Sequence, residues 1–181
     1  MRYLMILAAL AAAPFAQAAD EAALTAEARQ QAKSLGQSLM KTLKHGIELS
    51  GPEAAIDLCN TEAPVIAGQL SEGDWQVGRT SLKVRNPENT PDVWEEQTLH
   101  EFEQRLQAGE DPMKIEATRL TENEFRYMKA IPTGGLCVTC HGAELSEPVK
   151  ARLAQLYPED QARGFSVGDL RGAFTLTKTL Q

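Results

Sequence analysis

Cys137-Val138-Thr139-Cys140-His141, followed by Gly142, is the stretch on which the rest of the chain depends. The spacing C-x-x-C-H is the attachment signature of a c-type haem. Each cysteine can add across one vinyl group of the porphyrin to give a thioether. The histidine beside the second cysteine is then held under the iron as an axial ligand. On this reading Cys137 and Cys140 attach one haem c covalently and His141 ligates its iron. The remaining chain supplies a pocket and a second axial ligand.

Two other chemistries use a C-x-x-C pair. Half of a zinc site would need two more ligands at comparable spacing. The chain has three cysteines and three histidines, and Cys59, His45 and His100 all lie far from the motif. A thioredoxin-like pair would open a helix after a buried strand of a βαβ unit, and no such unit is legible. The histidine directly after Cys140 favours haem.

The N-terminus agrees with that assignment. Arg2 gives a positive start, Leu4 to Ala13 is an apolar run, Pro14 breaks it, and Ala16-Gln17-Ala18 is an A-x-A cleavage site. This reads as a secretory leader over residues 1–18, followed by one domain over 19–181. The apolar run falls short of the ~20 residues that span a bilayer, and no later stretch is long and apolar enough either. The expected address is a bacterial periplasm, where c-type haem is attached. The formal net charge is −7, and loss of the leader removes Arg2 and no acid. Such a surface repels phosphate backbones, which argues against nucleic acid as a partner. An odd cysteine count in an oxidising compartment leaves Cys59 in need of a role.

Leu24, Ala28, Ala32, Leu35, Leu39 and Leu43 recur at helical spacing and predict a helix over 21–45, with Gly46 as its stop. Ser50-Gly51-Pro52-Glu53 reads as a capping box opening a second helix, with Ala55, Ile56 and Cys59 on one face. Thr61 and Pro64 suggest a break before a short helix through Leu70. Residues 75–85 alternate as a strand, and 86–91 form a loop. A helix follows over 92–108, with Leu99, Phe102 and Leu106 inward. Residues 114–120 and 124–131 read as a hairpin, 146–156 as a helix and 170–178 as a closing strand. Helices first, then mostly strands, predict an α+β fold with an antiparallel sheet.

For the position opposite His141 the candidates are Cys59, His45, His100, Met40, Met113 and Met128. Methionine gives a high-potential carrier, thiolate a low-potential centre, and a vacancy allows gas binding or catalysis. His100 falls roughly 140° from the buried face of its helix, and Met40 roughly 100° from its leucine stripe. Met128 has the opposite parity to Phe125 and Tyr127, and Met113 lies in a loop. Cys59 sits on an apolar face without another role, although a lone buried cysteine is also a common small hydrophobe.

Three further segments carry a family resemblance. Ala54-Ala55-Ile56-Asp57-Leu58-Cys59-Asn60-Thr61-Glu62-Ala63-Pro64-Val65-Ile66-Ala67 resembles "AI..C...AP.IA". Arg79 to Asp92 with Trp94-Glu95 is similar to "R.S...RNP.N.PD.WE". Tyr157-Pro158, Asp160, Ala162, Gly164-Phe165, Gly168-Asp169 and Arg171-Gly172-Ala173-Phe174 resemble "YP.D.A.GF..GD.RGAF". With C-x-x-C-H among them, the chain resembles the PAS-like c-type haem family, long labelled a domain of unknown function. That family occurs alone and as the sensor part of bacterial histidine kinases and cyclases. The resemblance implies a PAS-like fold with N-terminal helices packed around the haem. It also implies histidine and cysteine axial ligands, the cysteine being Cys59.

Thiolate stabilises ferric iron and lowers its potential, so reduction would loosen Cys59 and open a site for NO or CO. The expected function is therefore redox or diatomic-gas sensing, with the signal passed to a separate redox or signalling protein. The alternative is a small soluble electron-transfer cytochrome. A haem enzyme would need a distal acid–base pair, which His45 and His100 are poorly placed to form, so catalysis is not expected. Arg79 or Arg85 could pair with haem propionates, and His141 is expected to donate its free ring N–H to a backbone carbonyl or water.

Overall fold

The structure is a computed structural model that describes residues 13–180, with side chains described from residue 20 onward. The leader expected over 1–18 lies outside the residues described in full. The first element, α1 (Ala13–Leu70), is a helix broken at Ser50 and Gly51 into two arms. Leu24 near its start and Leu70 at its end pack against the same core cluster, so the second arm runs back along the first. Gly51 sits at φ +85°, a region where a side chain is strained.

Gly46 does not stop the helix, as its residue type suggested. It is buried, and a Cβ there would lie 2.7 Å from Ala55 Cα. The glycine is what lets the two arms approach at the corner. The expected break at Thr61–Pro64 is also absent. Pro64 removes one backbone donor, but Ile66, Ala67 and Leu70 pack on the core and hold the segment helical. Tertiary burial overrides the local signal here.

The sheet has the order β1-β4-β3-β2, built from β1 (Trp75–Thr80), β2 (Glu116–Leu120), β3 (Glu124–Pro132) and β4 (Leu170–Thr179). Every neighbouring pair is antiparallel. Side chains alternate between two buried faces. On one face Trp75, Val77, Phe125, Tyr127 and Leu176 pack under Ala28, Ala32 and Leu35 of α1. On the other, Met128, Ala130 and Ala173 pack with Ile115 under Leu99 and Phe102 of α2 (Val93–Gln107). A reciprocal Asp92–Glu95 capping box opens α2, as S/T/D-x-x-E spacing allows. The expected α+β architecture, an N-terminal helix on an antiparallel sheet, is the one observed.

β1 ends at Thr80, earlier than the alternation to Arg85 suggested. Ser81 turns the chain: its hydroxyl donates to Arg171 O at 2.8 Å and accepts from Lys83 N at 3.2 Å. The C-x-x-C-H run forms a single short turn of helix, α3 (Val138–His141), after β3. The next helix, α4 (Glu147–Leu156), buries Val149 and Leu153 against Ile56 of α1, and Cys140 packs on that cluster. Each such fully buried aliphatic side chain contributes roughly 1.5–3 kcal/mol. The cluster joins the second arm of α1 to the motif.

Candidate functional site

A cavity lies where both arms of α1, the ends of β1, β3 and β4, and α3 meet. Its empty volume is about 1360 Å³, open solvent at the mouth included, and Cys59, Cys137, Cys140 and His141 all line it. These four come from two parts of the chain. Cys59 is carried by the returning arm of α1 and the others by α3. Among the described residues, no three His, Cys, Asp or Glu side chains are close enough to share a bare metal ion. The four groups border a space without converging on a point. That arrangement could hold a flat cofactor between them, and it does not suit a zinc ion.

The loop after α4 fixes His141. Its Nδ1 lies 2.8 Å from Ala162 O, so in the neutral ring Nδ1–H donates and Nε2 keeps a free lone pair. This is the carbonyl partner expected for the ring, and it is the arrangement that orients a ligating histidine. Burial, with Arg171 and Arg85 adding to it, holds the His141 pKa down at about 3. The imidazole is therefore neutral across the physiological range. Phe165 packs edge-on to it, with ring centroids 6.3 Å apart.

Ala162 is itself held by a buried ion pair. Asp160, whose side chain is fully enclosed, accepts from Arg85 Nε at 3.1 Å, from Arg163 Nε at 2.9 Å and from Ala162 N at 2.9 Å. Arg85 also donates to Cys140 O at 2.5 Å. One arginine–aspartate pair thus ties α3 to the loop that orients His141. Burial pushes the Asp160 carboxyl up, but hydrogen bonds and charge from Arg163, Arg85 and the Ala162 amide outweigh it and leave its pKa below the usual value.

Cys59 is partly buried, and burial pushes its thiol pKa up while Arg79 and Arg85 pull it down. Of the rival candidates, Met40 lines the cavity at its rim, 39% exposed. Met128 is fully buried on the α2 face, behind the sheet. Met113 is exposed away from the cavity, as are His45 and His100, the last beside Glu103 at 3.4 Å. Periodicity thus placed Met128 and His100 correctly and undervalued Met40, which lines the cavity together with Leu39 and Leu43 of the leucine stripe. Arg171 and Tyr157 line the cavity too, and the sequence reading gave them no role. The signal lies in the C-terminal segment, where Asp160, Ala162 and Arg171 belong to the family-like pattern.

Comparison with known proteins gives one solved structure of similar fold, the cyanobacterial haem protein Tll0287. It matches with a TM-score of 0.66 at 24% identity, over 86% of this chain and 94% of that one. At that identity the likeness is one of fold. No curated protein matches the chain. The model of the Tll0287-like family (Tll0287) matches residues 15–178, most of the chain's length, and the chain belongs to the Tll0287-like family.

Proposed function

We propose that this protein binds one haem c, attached through Cys137 and Cys140 and ligated by His141 and Cys59, and that it reports redox state or a diatomic gas from the periplasm without catalysing a reaction. One observation carries the reading: both motif cysteines, His141 and the distant Cys59 border a single cavity. The family membership and the fold shared with a haem protein support it. The leader-like pattern of residues 1–18 supports the address. No described helix is long and apolar enough to cross a membrane.

Haem supplies a one-electron iron couple and a coordination position for a gas such as NO or CO. The chain's residues do the rest. Cys137 and Cys140 anchor, and His141 presents Nε2 while Ala162 O holds Nδ1. Cys59 has no hydrogen bond among the described residues, and Arg79 and Arg85 favour its thiolate form. Cys59 would be the ligand whose exchange links the iron's redox or gas state to the returning arm of α1.

Met40 at the cavity rim favours a second reading, a small electron-transfer cytochrome with a methionine ligand. Absorption and EPR spectra of the holoprotein, oxidised and reduced, separate the two. Low-spin thiolate signals that vanish in Cys59→Ala support Cys59. A spectrum unchanged in Cys59→Ala but altered in Met40→Ala would sink it. A reduced protein that takes up neither NO nor CO argues against gas sensing.

A further inference from the structure

Three arginines, Arg79, Arg85 and Arg171, line the cavity, and no Asp or Glu lines it among the described residues. In a chain of net charge −7 this is a local excess of positive charge inside a partly enclosed, largely apolar space. The three are not equivalent. Arg85 is engaged with Asp160 and with the carbonyls of Cys140 and Ala162. Arg171 donates to Ser81 Oγ at 3.1 Å and to Lys83 O at 3.4 Å, and lies 5.2 Å from the Phe165 ring centroid. It has no carboxylate partner among the described residues. The Arg79 guanidinium has neither an ion pair nor a hydrogen bond among them.

Arg79 is exposed by surface area, but that surface is cavity wall. Protein surrounds it closely enough that desolvation pulls its pKa down. Burial, reinforced by repulsion from Arg85 and Arg79, likewise lowers Arg171 to about 10. Holding like charges together without counter-ions costs stability, and the arrangement makes sense when an anion completes it. The two arginines without a carboxylate partner among the described residues sit at adjoining strand ends: Arg79 pairs in register with Phe174, and Arg171 precedes the Thr80–Ala173 pair. Guanidinium is the side chain suited to planar, two-point recognition of carboxylates.

We propose that Arg79 and Arg171 form a carboxylate-binding pair that takes the two propionate groups of the cofactor, and that Arg85 is a structural residue with no share in that role. The proposal rests on the haem reading above. It makes the two arginines positioning residues that set which way round the macrocycle enters before the thioethers form.

The test uses the full-length apo-protein, titrated by absorbance with haem and with haem dimethyl ester, in which both carboxylates are capped. Wild type should prefer the free acid by about 100-fold, roughly tenfold per charge-assisted pair. Arg79→Gln and Arg171→Gln should each reduce that ratio about tenfold, whereas Arg119→Gln, on the distant strand β2, should leave it unchanged. Arg79→Lys and Arg171→Lys keep the charge and should retain part of the preference, which guards against a Gln variant that fails to fold. Equal affinity of wild type for acid and ester, or a ratio untouched by either Gln substitution, overturns the proposal while the haem reading stands. Protein that carries no thioether-bound haem when purified from a periplasm overturns both.

Discussion

Asp160→Asn tests the frame that orients His141. The substitution keeps the side chain's shape and removes its charge. The Asp160 side chain is 0% exposed and that of Arg85 13%, so the pair is buried and Arg85 is left without a counter-charge. Removing one partner of such a pair costs about 3–5 kcal/mol. Asparagine still accepts from the Ala162 amide, which favours the lower end. The Arg163 side chain is 40% exposed, so water screens its pair and it adds less than about 1 kcal/mol. The expected loss is about 3 kcal/mol, or roughly 6–12 °C in melting temperature for a domain of this size.

Urea denaturation of wild type and variant at matched haem content should show a lower midpoint with an unchanged slope. The pH dependence has a definite sign. The folded carboxyl lies below its ordinary pKa of 3.8, so its contribution is fully present above that value and is lost as the pH falls through the folded pKa. The gap between the two proteins should be constant from pH 7 to 5 and close below pH 3.8. A gap under about 1 kcal/mol at pH 7, or one that persists unchanged into acid, would refute the buried-pair argument.

Two further substitutions probe the scaffold. Gly46→Ala would gain up to about 1 kcal/mol from helix propensity alone, but the clash with the Ala55 backbone should reverse the sign to a net loss of about 1–3 kcal/mol; a stabilised variant by urea titration would show that the corner does not need glycine. Arg126 bridges Asp92 at 2.7 Å and Glu95 at 3.1 Å beneath the Trp94 ring, with its Nε buried and unpartnered. Arg126→Met should cost about 3–5 kcal/mol by stranding Glu95, while Arg126→Met with Glu95→Leu should recover most of it; a double variant as unstable as the single one would contradict this.

Much of the fold was legible because its local signals agree with its packing. The Asp92–Glu95 box, the alternation in β3 and the hairpin over 121–123 are short-range patterns whose partners lie within a few residues. Where the reading failed, a distant contact had overruled a local one. Gly46 looks like a helix stop until Ala55 is brought against it. Pro64 looks like a break until Ile66 and Leu70 find the core. β1 is cut short because the Ser81 hydroxyl bonds to Arg171, a residue from the far end of the chain.

By itself the sequence determined the motif at 137–141, the alternation that sends Met128 behind the sheet, and the solvent-facing position of His100. Each depends only on spacing along one element. The tertiary structure alone decided that Cys59 faces the cavity bordered by His141, that Met40 reaches the same cavity, and that Arg85 is engaged with Asp160 while Arg79 and Arg171 have no carboxylate partner among the described residues. Periodicity tells which side of a helix or strand is apolar. It carries no information about what that side meets, because the meeting partner is set by how α1 folds back and how β4 inserts between β1 and β3.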